Sequence, residues 1–142
     1  MPGTKVRSLE HGIQATNEWF HEVADELGTD DRRYAYRALR AYLHAVRDRL
    51  AVDEAAQLAA QMPDLLRGIY YEGWNPSATP AGYRRESEFL QRVVAEGGYA
   101  GTTEAGVAVQ AAAAVVRRRI SAGELSDVAA ELPAELATLV TG

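Results

Sequence analysis

The sequence predicts an all-α fold: two tandem pseudo-symmetric four-helix repeats packed into one helical bundle domain. Three observations predict it. Apolar residues recur at three- and four-residue steps along most of the 142 positions, the mark of helices with one buried stripe. No segment keeps up the apolar–polar alternation that a half-buried strand needs, so no sheet is expected. The chain also matches itself, residues 19–70 lying on residues 89–140 without a gap at an offset of 70. Identical pairs include Val23/Val93, Glu26/Glu96, Gly28/Gly98, Glu54/Glu124 and Leu66/Leu136. Alanine matches alone would be weak support in so alanine-rich a chain. Arg47-x-Arg49-Leu50 against Arg117-x-Arg119-Ile120, and Met62-Pro63 against Leu132-Pro133, are stronger.

This organisation divides the chain into an N-terminal arm (1–15), repeat one (16–71), a connector (72–87) and repeat two (88–142). The first helix, 17–27, sets Trp19, Phe20, Val23, Ala24 and Leu27 on one stripe. Gly28 ends it, and Thr29 or Asp30 caps the next. The second, about 31–50, buries Ala35, Ala38, Leu39, Tyr42, Val46 and Leu50. A third runs from about Asp53 to Gln61. A fourth opens at Pro63, where a missing N–H costs nothing in the first turn, and carries Leu65, Leu66, Ile69 and Tyr70. The connector holds Gly73, Pro76, Pro80 and Gly82 and reads as loop. In repeat two the helices fall near 86–96, 103–120, 122–131 and 133–140. Ser121 with Glu124 forms the capping-box pattern Ser-x-x-Glu at the third of these. Between Ala105 and Val116 the chain is apolar on every helical side, which predicts a central, enclosed helix.

Composition excludes several function classes. There is no cysteine, so disulfides, thiolate metal sites and cysteine nucleophiles are absent. The N-terminal stretch lacks the apolar core of a signal peptide, and residues 105–116 are too few to span a bilayer, which takes about 20 apolar residues. A cytoplasmic location without membrane contact is expected. The net charge of −5 disfavours nucleic acid as a partner. Basic charge is nearly all arginine, Lys5 being the sole lysine; with the many alanines this points to a GC-rich bacterial genome.

Catalytic motifs are scarce. His21-Glu22-Val23-Ala24-Asp25 resembles the start of a zinc-protease helix, but Asp25 stands where the second histidine belongs. His11 and His44 have no partner at ligand spacing and read as surface residues. No Gly-x-Ser-x-Gly elbow or Walker loop occurs, and Gly97-Gly98-Tyr99-Ala100-Gly101 follows a helix rather than a strand, so it reads as a turn. No metal or cofactor is expected.

Two groupings are more informative. Arg33, Arg37, Arg40, His44 and Arg47 recur at steps of four, three, four and three, so they share one face of the second helix. That face is either a surface for an anion or acidic partner, or a stripe pairing with Glu18, Glu22 and Asp25 of the first helix, or simply solvated. Tyr70, Tyr71, Trp74 and Tyr83, with Arg67 nearby, form either an interface hot spot or a clamp between the repeats.

Asn17-Glu18-Trp19-Phe20, Tyr36-Arg37-Ala38-Leu39-Arg40-Ala41, Gln61-Met62-Pro63 and the run from Leu66 to Trp74 resemble the domain of unknown function 2267 family. The second copy, with Arg119-Ile120-Ser121 and Glu131-Leu132-Pro133, resembles the pattern more weakly and departs from it in the alanines at 112–114. The likeness covers about residues 9 to 140. It implies an all-helical fold and a bacterial, often actinobacterial, cytosolic protein. It implies no activity and no site residues. The reading is therefore a non-enzymatic interaction or regulatory module that binds a protein partner or itself. The alternative is a small anionic-ligand binder using the arginine stripe.

Overall fold

The computed structural model describes residues 6–142. Residues 1–5 of the expected arm, Lys5 among them, lie outside the described residues. The described residues form eight α-helices and no strand: α1 (Arg7–Leu27), α2 (Arg32–Arg47), α3 (Val52–Ala59), α4 (Asp64–Tyr71), α5 (Glu86–Gly97), α6 (Thr102–Arg119), α7 (Ala122–Ala130) and α8 (Ala134–Thr141). A short 3-10 turn, Pro76–Ala78, interrupts the connector. The fold is all-α, as the apolar spacing predicts.

Two helix limits depart clearly from expectation. α1 starts at Arg7, ten residues before the predicted start at 17. Leu9 and Ile13 extend the stripe of Thr16, Phe20 and Val23 at helical steps, and Gly12, which costs only about 1 kcal/mol against alanine, does not break it. α2 ends at Arg47 rather than 50, and the chain then turns so that Leu50 is fully buried. The remaining limits lie within two residues of those predicted.

Capping also differs in detail. Asp31, not Thr29 or Asp30, caps α2, its carboxylate accepting from the N–H groups of Arg33 at 3.0 Å and Tyr34 at 3.2 Å. Thr29 instead accepts from the N–H of Asp31. The box at Ser121 is half built. Its hydroxyl accepts from the Glu124 N–H at 3.2 Å, but the Ser121 N–H goes to Gln61 at 2.9 Å. Gly28 and Gly98 close α1 and α5 at φ 68° and 69°, a left-handed conformation that disfavours any Cβ.

α2 and α6 form the centre. α6 packs against α1, α2, α5 and α8, while α2 also meets α1, α4 and α5. The expectation for α6 holds over most of its length, Ala105, Ala108, Val109, Ala112, Ala113 and Val115 being at most 1% exposed. Val107, at 57%, and Gln110 are the exposed exceptions. On the facing helix, Leu39 and Leu43 are buried, each worth about 1.5–3 kcal/mol against full exposure. Helix starts recur at a spacing of 70: α2 and α6 begin at 32 and 102, α3 and α7 at 52 and 122, α4 and α8 at 64 and 134.

Candidate interaction surface

The arginine stripe on α2 faces neither α1 nor open solvent for most of its length. It lies against the end of α4 and along α5. Arg40 donates from Nε to Glu72 at 3.0 Å and from Nη1 to Glu96 at 2.9 Å. Burial works to lower the Arg40 pKa, but the bond to Glu72 and the charges of Glu96 and Glu72 outweigh it and leave it raised. His44 is 3% exposed, not the surface residue its lone position in sequence implies. Its Nδ1 lies 2.6 Å from the same Glu96 carboxylate and its Nε2 2.8 Å from the carbonyl of Ile69. Both ring nitrogens face acceptors, and a neutral ring can donate to only one.

Arg47, also 3% exposed, is a structural cation. It holds Asp48 at 2.8 Å and the carbonyls of Tyr70 at 2.6 Å and Glu72 at 2.8 Å, which lie at the unpaired C-terminal end of α4. Arg37 is exposed, donates to the Gly97 carbonyl at 3.2 Å and lies 5.3 Å from the centre of the Tyr34 ring. Arg33 is exposed, with no bond of its guanidinium found among the described residues.

The acids of α1 pair elsewhere. Glu22 and Glu26 accept from Arg118, and Glu22 also from Arg119, which forms an ion pair with Glu18 at 3.7 Å; both arginines lie at the C-terminal end of α6. The Arg119 hydrogen bond is the largest influence on Glu22 and holds its carboxyl below the usual range. Asp25 takes His21 at 3.3 Å. Apart from Asp48, next to Arg47 in the chain, the stripe's acids come instead from α5 and the connector, a long-range choice that helical spacing does not encode.

The aromatic group splits in two. Tyr70 belongs to the first four helices: it is buried, and its hydroxyl donates to the Ala55 carbonyl of α3 at 2.8 Å. Its ring meets Tyr71, which in turn meets Trp74, both with centroids 5.2 Å apart. Arg67 binds the carbonyls of Ala59 and Met62 at the end of α3. Tyr83 does bridge: its hydroxyl donates to the Ala45 carbonyl of α2, its ring packs edge-on to Phe89 of α5, and the Arg92 guanidinium sits 4.8 Å from its centre. Arg49 fixes the Tyr83 carbonyl at 2.7 Å, so the connector is tied to the end of α2.

Two features escaped the sequence reading. At the head of α1, Val6 just before it and Leu9 and Ile13 on it are 53%, 65% and 50% exposed, and Leu65 of α4 nearby is 47% exposed. Leu9, Ile13 and Leu65 line a groove of about 430 Å³, and beside it a second of about 610 Å³ runs between Arg7, His11 and Ala15 on one wall and Pro63 and Asp64 on the other. The spacing at 6, 9 and 13 was readable, but not that the face lacks a cover. The second is Glu54 on α3 and Glu124 on α7, each only 8% exposed and each with one carboxyl oxygen lacking a partner. These positions are 70 apart and identical, which was the available signal.

No three of the His, Asp and Glu side chains among the described residues gather into a group that could hold a metal. No described helix is long and apolar enough to cross a membrane. Comparison with curated proteins finds no match to the chain. Residues 16–139, from the middle of α1 to the last turns of α8, match the family described as uncharacterized conserved protein (DUF2267), and the chain belongs to that family.

Proposed function

We propose that the chain is a non-enzymatic interaction module that associates with a second copy of itself through the N-terminal half of α1 and the start of α4. The exposed row Val6, Leu9, Ile13 and Leu65 carries this reading. The same stripe continues down α1 as Thr16, Phe20 and Val23, which are buried. One helix face is thus covered along half its length and bare along the other half. Burial of apolar surface at about 25 cal/mol per Å² favours a cover. The charges favour a second copy. The α1 wall of the larger groove presents Arg7 and His11, while the α4 wall presents Asp64, whose side chain is 92% exposed and only loosely held by Arg67 at 3.5 Å. Two copies related by a two-fold axis set the basic wall of each against the acid of the other.

The anion-binding alternative gains little support, because Arg40, His44 and Arg47 spend their donors on carboxylates and carbonyls of the chain itself. A further part of the proposal is that the two halves descend from one duplicated unit. The offset-70 helix starts support it, and so does a pair of opposite sign. Glu22 meets Arg118, and 70 residues from each, Arg92 meets Asp48 at 2.8 Å.

Sedimentation velocity over roughly 1–200 μM, a range bracketing micromolar affinity, tests self-association. A dimer fraction that grows with concentration is expected. Leu9→Glu with Ile13→Glu should return the protein to a monomer without loss of helical circular dichroism. A wild-type protein that stays monomeric at every concentration overturns the reading.

A further inference from the structure

Glu54 and Glu124 occupy the first turns of α3 and α7, and these two helices pack against each other. Both side chains are more than nine-tenths buried, and Oε2 of each has no hydrogen-bond partner. No arginine or histidine forms an ion pair with either among the described residues. The neighbouring charges are acids: Asp53 on α3 and Asp127 on α7. From α4, the Tyr70 hydroxyl is committed to the Ala55 carbonyl. Reciprocal caps hold the seam at its edges. Gln61 accepts from the Ser121 N–H at 2.9 Å and donates to its hydroxyl at 3.0 Å, while Glu131 accepts from the Ala51 N–H at 3.0 Å. Positions 61 and 131, and 51 and 121, are again 70 apart.

Two buried carboxylates on packed helices repel, and burial leaves them little solvation. A single proton between them turns repulsion into an O–H···O⁻ bond, one of the stronger hydrogen bonds available to side chains. From this geometry we propose that Glu54 and Glu124 form a proton-operated latch between α3 and α7, closed while the pair shares a proton and loosened when both ionise. The electrostatics agree in direction. Burial, then the hydrogen bond to Glu124, then the negative charges of Glu124, Asp127 and Asp53 push the Glu54 carboxyl from 4.5 up to about 7. A carboxyl that holds its proton more firmly when folded adds stability that is complete below 4.5 and is lost as pH rises through about 7. The latch therefore works across the physiological range, tight on the acid side and slack on the alkaline side. It lies on α3 and α7, apart from the α1 face invoked for self-association.

Thermal melts of the wild type, Glu54→Gln, Glu124→Gln and the double variant between pH 5 and 8.5 test this. The wild type should lose several degrees of Tm between pH 5 and 7.5. Either single glutamine, which donates to the remaining carboxylate at every pH, should flatten that slope and melt higher than wild type at pH 8. Carboxyl ¹³C chemical shifts supply a readout independent of stability, with one glutamate titrating near neutrality in the wild type and none in the single variants. A wild-type slope that persists in both single variants, or no glutamate titrating above pH 6, overturns the latch.

Discussion

Arg47 and Arg33 stand on one helical face and read alike in sequence, yet their environments are opposite. Arg47 is buried among a carboxylate and two carbonyls, and removing it strands both carbonyls and leaves Asp48 with Arg92 alone. Arg47→Ala should cost about 3 kcal/mol, the range for breaking a buried charged network. Arg33→Ala should change stability by less than about 0.5 kcal/mol, as exposed substitutions usually do. Urea unfolding of the two variants side by side checks the contrast, and equal costs would contradict the placement of Arg47. His44 follows the same logic. Its sequence neighbours say nothing about burial, because the groups that enclose it, Glu96 and the Ile69 carbonyl, come from other helices.

Helices were the most legible level, because their signals are local. Stripe spacing, Gly28 and Gly98 as stops, and the prolines at 63 and 133 act within a few residues, so helix limits could be read directly. The capping errors were local competitions between equivalent groups. Thr29, Asp30 and Asp31 all offer a capping oxygen, and only backbone direction selects Asp31. Asp31→Ala should therefore destabilise the protein by about 1 kcal/mol. Asp30→Ala should leave the melting curve unchanged. At Ser121 the carboxyl expected to close the box turns inward to meet Glu54, and Gln61 takes over the vacated N–H. Tertiary packing outweighs the local pattern there.

Across the whole molecule, large and small side chains alternate between the two central helices. Tyr42 of α2 is 1% exposed, packs edge-on to Phe89 and donates to the Leu139 carbonyl at 2.9 Å. Seventy residues later α6 carries Ala112, fully buried, and Leu43 is answered by Ala113. The alanines at 112 and 113 are thus buried on the helix that packs against both α2 and α1. Ala112→Leu should overpack this centre and lower stability by about 1–3 kcal/mol. Thermal and urea unfolding check it, and a neutral outcome would mean that the centre has room to spare.

The amino-acid order alone determined that the chain is helical, where most helices start and stop, and which side chains share a face, since these depend on contacts three or four residues apart. It also carried the family pattern from Leu66 to Trp74. Tertiary structure alone decided what each face meets. It turned most of the arginine stripe toward Glu72 and Glu96, left the head of α1 uncovered and brought two identical glutamates together. Such pairings join residues far apart in the chain, 97 positions at Tyr42 and Leu139, and no local rule reaches that far.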